Sequence, residues 1–169
     1  MEKIHWLKEL VKAEQQMEET GLVDMSYGLD RERLLTQETL QFLLQLKTEF
    51  VDAITAFNEL KTSPLGRVKV YGIAKTHADF MLFRNGYKMI FMMKSPGVIA
   101  VRLNFIGTGY IPSPQQEQNS SGHGLMEEQT VEAKIGAFGE VLWTHQGHPV
   151  RLEYMVRHYL TVFVRESAK

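Results

Sequence analysis

Two hydrophobic rhythms divide the chain. Leu40, Leu43, Leu44, Phe50, Val51, Ile54, Phe57 and Leu60 recur at steps of three and four, the spacing of one helix face. From Arg67 onward the apolar positions alternate instead, as on one face of a strand. The first rhythm predicts a helix over 36–61, capped by Thr36 or Asp30 and stopped by Thr62-Ser63-Pro64-Leu65-Gly66. A similar pattern in Ile4, Leu7, Leu10, Val11 and Met17 predicts a helix over 2–19, ending at Thr20-Gly21. The alternating rhythm predicts strands over 67–73, 78–84, 87–94 and 98–106, with two more over 130–137 and 140–145. Leu152, Met155, Val156, Tyr159, Leu160 and Phe163 predict a last helix over 149–166, with Pro149 in its first turn.

The turns set the register. Asn85-Gly86 suits a two-residue hairpin, because both central positions of a type I′ turn need positive φ. That turn places Arg84 opposite Tyr87, Leu82 opposite Met89 and Phe80 opposite Phe91. In the next hairpin, a two-residue Pro96-Gly97 loop would set Phe91 against Arg102. A three-residue Ser95-Pro96-Gly97 loop, with the glycine left-handed in a bulge, pairs Met93 with Ile99, Phe91 with Val101 and Met89 with Leu103, and this register is the expected one. One face then reads Phe80, Leu82, Met89, Phe91, Met93, Ile99, Val101, Leu103 and Phe105, a core for the helices to cover. The other carries Met81, Phe83, Ile90, Met92, Val98 and Ala100 beside Lys88, Lys94, Arg102 and Asn104. It is too apolar for a solvated face and too charged for a core.

The element order predicts an α+β domain: two N-terminal helices, a mostly antiparallel sheet of about six strands and one C-terminal helix. At 169 residues a single domain over 1–169 is expected. Residues 107–128 form a long polar loop within it, rich in Gly, Ser and Pro. The order of elements resembles that of helix-grip folds, a likeness no motif accompanies. It implies a ligand cavity between the sheet and the long helix, lined by residues such as Phe80, Met89 and Leu103.

Charge sharpens the picture. Residues 1–60 carry −6, residues 61–105 carry +7 and residues 106–169 carry −2, which together make the chain's −1. In the basic middle, only Asp79 opposes Lys61, Arg67, Lys69, Lys75, Arg84, Lys88, Lys94 and Arg102. With Tyr71, Phe83 and Tyr87 interleaved, that segment could serve single-stranded nucleic acid. A net charge near zero argues against long-range attraction to a polyanion, so nucleic acid is not the favoured partner. The absence of cysteine excludes disulfides, thiolate metal sites and cysteine nucleophiles. No run of about 18 apolar residues could span a bilayer, and the start does not read as a secretory signal. A cytoplasmic protein with no membrane association is expected. Nine methionines suit adaptable contact surfaces.

No constellation anchors a reaction. His145-Gln146-Gly147-His148, with Glu153 beyond, reads as a turn into a helix, because nothing fixes a metal geometry. His77-x-Asp79 lacks a nucleophile, and Asp79 is expected to meet a base such as Lys94. Ser120-Ser121-Gly122-His123 sits in the polar loop without a strained elbow. Gly107-Thr108-Gly109 lacks the lysine and helix of a phosphate loop. No catalytic residue, cofactor or metal is assigned. Trp6 and Trp143 are expected as core or interface anchors. The leading expectation is a non-enzymatic binding or regulatory module that engages a protein partner, or a second copy as a homo-oligomer. Its contact residues are Met81, Phe83, Lys88, Ile90, Met92, Lys94 and Arg102.

Overall fold

Alternation and turn chemistry build one continuous meander at the centre of the protein. The computed structural model describes residues 2–20, 31–73, 78–106 and 126–168. Helices α1 (Glu2–Thr20) and α2 (Arg31–Leu60) come first. The strands β1 (Lys69–Gly72), β2 (Phe80–Arg84), β3 (Tyr87–Ser95), β4 (Val98–Phe105), β5 (Gln129–Ile135), β6 (Val141–His145) and β7 (His148–Pro149) follow, and α3 (Leu152–Ser167) ends the order. The seven strands pair antiparallel, each with its neighbours in chain order. The fold is therefore α+β, as the element order implies.

The chain divides into two compact units, Met1–Leu34 and Leu35–Lys169. In the first, α1 carries Ile4, Trp6, Leu7, Leu10, Val11 and Met17 as exposed residues. Trp6 is 55% exposed, so of the two roles expected of it, core or interface anchor, it does not take the first. The second unit holds the sheet, α3 and most of α2.

Both predicted registers are present. Phe80, Leu82 and Arg84 face Phe91, Met89 and Tyr87 across the first hairpin. Asn85 (φ 51°) and Gly86 (φ 80°) supply the two left-handed positions that the turn needs. Met89, Phe91 and Met93 face Leu103, Val101 and Ile99 as expected, but Ser95 pairs with Val98, so the turn is Pro96-Gly97 with Gly97 at φ 82° and the bulge falls between Met93 and Ser95, not in a three-residue loop. The bulge is tied on both sides. Asp79 Oδ1 accepts the Met93 N–H at 3.1 Å, and Thr39 Oγ1 on α2 accepts the Gly97 N–H at 2.8 Å. The expected Asp79 to Lys94 pairing gives way to this backbone contact, while the Lys94 ammonium goes to Glu128.

The core lies on the face read from the alternation. Phe50 of α2 packs against Phe91 and Phe80 at ring centroid distances of 4.8 and 5.8 Å, and Tyr159 of α3 meets Phe91 edge-on at 5.7 Å. Phe42 stacks on Trp143 at 4.6 Å, so that tryptophan does anchor the core. The buried stripe of α2 runs through Thr39, Phe42, Leu43, Leu46, Phe50 and Ile54. Leu44, Val51 and Leu60, which match the helical spacing, stand outside it and are exposed. Phe105, expected in the core, lies at the end of the sheet against Tyr87 and is largely exposed.

Helix boundaries shift for local reasons. α2 begins at Arg31, so Thr36 lies inside the helix and is not its cap; Asp30 and Gly21 lie outside the described residues. Gln146 (φ 51°) and Gly147 (φ 82°) form a second left-handed pair, which folds His148 and Pro149 back onto β6 as a seventh strand. Proline fits there because an edge strand leaves a position whose N–H is not needed. Helix α3 therefore starts at Leu152, not at Pro149, and runs through Thr161, Val162 and Val164 to Ser167. Its end is held by Asn85 Nδ2, which donates to the Ser167 carbonyl at 2.9 Å.

Candidate docking face on the outer side of the sheet

Strand alternation forces the residues between the core positions onto the opposite face. Cross-strand partners then assemble into rows: Tyr71, Met81, Ile90 and Arg102 in one, Lys69, Phe83, Lys88 and Asn104 in the next, and Met92, Ala100 and Thr130 in a third. The two helices of this unit, α2 and α3, place their buried residues in the cluster on the core side. Met81, Phe83, Ile90 and Met92 are half-buried neighbours on the outer side. Tyr71 extends this patch, its ring edge-on to Phe83 at 6.3 Å.

The cations of this face behave differently from one another. Lys94 Nζ meets Glu128 Oε1 at 2.9 Å, while Arg102 donates to Glu128 Oε2 from Nε at 3.1 Å and from Nη2 at 3.0 Å. One carboxylate thus bridges two cations from adjacent strands. The hydrogen bond from Lys94 is the main cause holding the Glu128 carboxyl below its ordinary range, partial burial works against it, and the Arg102 charge lowers it further. Lys88 is only 5% exposed, so it is not the solvated rim cation that the alternation suggests. Of the seven expected contact residues, the structure brings Met81, Phe83, Ile90 and Met92 together as an apolar patch. Lys94 and Arg102 form an ion cluster with Glu128, and Lys88 is buried in the row between Phe83 and Asn104.

Sequence reasoning missed Glu128. It belongs to the polar stretch read as loop, and only the pairing of β4 with β5 carries it to Lys94 and Arg102. Tyr87, one of the aromatics interleaved in the basic segment, lies on the core side against Phe105 and so does not share a face with Phe83. Lys75, His77, Gly107-Thr108-Gly109 and Ser120-Ser121-Gly122-His123 lie outside the described residues.

The expected ligand cavity between sheet and long helix meets a filled interior at its named walls. Phe80, Met89 and Leu103 are buried, and the Phe50 ring packs against Phe80 and Phe91. Open space is found elsewhere. A groove of about 670 Å³ runs between α2 and α3 over Ala53, Phe57, Val156 and Leu160. Among the described residues, no group of three or more His, Asp or Glu side chains could hold a metal, and no helix is long and apolar enough to cross a membrane. The chain matches no family model, no curated protein and no solved structure.

Proposed function

We propose that this chain is a non-enzymatic binding module that docks a protein, in the first instance a second copy of itself, on the outer face of its sheet. The observation that carries this reading is the contiguous apolar patch Met81, Phe83, Ile90 and Met92, on the side opposite the one α2 and α3 cover. An apolar centre with a polar edge is the anatomy of a protein contact.

Charge favours self-pairing over a polyanion. Lys94 and Arg102 already share Glu128, which weakens their pull on phosphates. The same face carries exposed Lys69 and Lys134 together with exposed Glu132 at its edges. A two-fold related copy can set such opposite charges against each other, as isologous contacts require. A net charge of −1 adds little repulsion between copies.

The test is light scattering across concentration on the wild type and on Phe83→Ala with Ile90→Ala. The wild type should dimerise, and the double change should weaken association by about 2–4 kcal/mol, roughly thirty-fold or more in Kd, with its melting transition retained. A wild type that stays monomeric up to about 100 µM would count against self-pairing, since most specific dimers form well below that concentration. Loss of the fold in the double variant would show that the patch is core.

A further inference from the structure

On the core side, where β6, β7 and α3 meet, a groove of about 300 Å³ gathers an unusual set of polar groups. His145 comes from β6, His148 from β7, Arg151 from the residue before α3, and Tyr154, His158 and Tyr159 from α3 itself. No carboxylate is among the described residues that line it. Its walls are apolar: Val131, Pro149 and Met155 complete them. Three imidazoles and a guanidinium around one apolar space, with no acid to answer them, make a site that favours negative charge.

Two of its groups are placed to meet a ligand. Tyr159 is 4% exposed and lines the groove, where its phenol can donate or accept a hydrogen bond. Burial pushes this phenol up to about 12, so it remains a donor and does not add a competing charge. His145 is also held in place: its Nδ1–H donates to the Thr130 carbonyl at 2.8 Å, which fixes the ring and leaves Nε2 to donate to an anion when the ring is protonated.

We infer that this groove is a binding site for a small organic acid, whose carboxylate meets Arg151, the Tyr159 hydroxyl and the imidazoles while an apolar or aromatic body lies against Val131, Met155 and the tyrosine rings. The volume sits at the lower end for small-molecule pockets and suits a single ring more than a long chain. The site lies on the opposite side of the sheet from the docking face and is independent of it.

Benzoate and its neutral isostere benzamide are the probes, titrated into the full chain at pH 6 by calorimetry and by amide chemical shifts. Benzoate should bind with shifts centred on 145–159, and benzamide should bind about ten-fold more weakly or worse, since the charge-assisted contacts are lost. Arg151→Gln, at a position whose side chain makes no cap hydrogen bond, should weaken benzoate about ten-fold with the fold intact. Tyr159→Phe deletes only the hydroxyl and should weaken benzoate several-fold; Arg165→Gln, in the other groove, should leave it unchanged. Equal affinity for benzoate and benzamide, no benzoate binding at about 10 mM, or benzoate binding unaffected by both Arg151→Gln and Tyr159→Phe would overturn the assignment.

Discussion

Thr39→Val tests how the bulged hairpin is held to the long helix. The Thr39 hydroxyl is fully buried, donates to the Leu35 carbonyl at 2.5 Å and accepts the Gly97 N–H at 2.8 Å. Valine keeps the branched shape and removes both bonds. Losing the contact to Leu35 costs little, because that carbonyl belongs to the helix ladder and the side-chain bond is an addition to it. Helix propensity is nearly the same for the two residues. The Gly97 N–H is different: it sits in a buried turn and loses its acceptor. An orphaned buried donor costs about 1–3 kcal/mol, which for a chain of this size lowers the melting temperature by roughly 2–4 °C per kcal/mol. Thr39→Ser keeps the acceptor and removes one buried methyl, so it should lose only about 1 kcal/mol. Urea titration followed by far-ultraviolet circular dichroism gives the energies, and exchange of the Gly97 amide should accelerate in the valine variant. A valine variant within about 0.5 kcal/mol of wild type, or a serine variant less stable than the valine one, would refute the reasoning.

Two other perturbations probe the charges. Arg84 is 7% exposed, its Nε and Nη1 have no hydrogen-bond partner among the described residues, and its guanidinium lies 5.7 Å from the Phe57 ring. Desolvation should outweigh that cation–π contact, so Arg84→Met is expected to raise stability by about 1–2 kcal/mol in urea melts, and a loss of more than about 1 kcal/mol would contradict this. Glu128→Gln should cost less than about 1 kcal/mol at neutral pH, because the bridge to Lys94 and Arg102 is partly exposed and screened by salt. The Glu128 carboxyl is lowered in the folded state, so its contribution is present above the ordinary carboxylate range and is lost as pH falls through the lowered value. Wild type and variant should therefore converge in urea melts once the pH is below that lowered value, and a gap that persists in acid would show that the bridge is not its source.

Much of the scaffold was legible because its signals are local. Asn85-Gly86 and the glycine after Pro96 dictate backbone conformations few other residues adopt, and each conformation admits one register. The apolar patch on the outer face was legible for the same reason, since Met81, Phe83, Ile90 and Met92 follow from alternation once the register is known. The state of its cations was not. Lys88 and Lys94 are alike in sequence, yet one is enclosed and the other bridges to an acid from a segment read as loop. The groove at β6, β7 and α3 was half visible in His145 and His148. His158 enters it from α3, one turn beyond Tyr154 and Met155 on the same helix face. The proline there reads as a helix opener, while the left-handed pair Gln146 and Gly147 makes it an edge-strand residue.

By itself the sequence determined the order of helices and strands, the pairing across two hairpins and the residues of each sheet face, because periodicity and turn stereochemistry act over a few residues. Only the tertiary structure decided that Glu128 neutralises Lys94 and Arg102, that Thr39 holds Gly97, and that three histidines surround one acid-free groove. The Glu128 and Thr39 contacts join residues 26 to 58 positions apart along the chain, while the histidines are near in sequence and meet through the folding of β7 and α3. Their contacts exist only once burial of the Phe50, Phe80 and Phe91 cluster has brought α2, α3 and the sheet into one packed layer, and no local rule encodes that closeness.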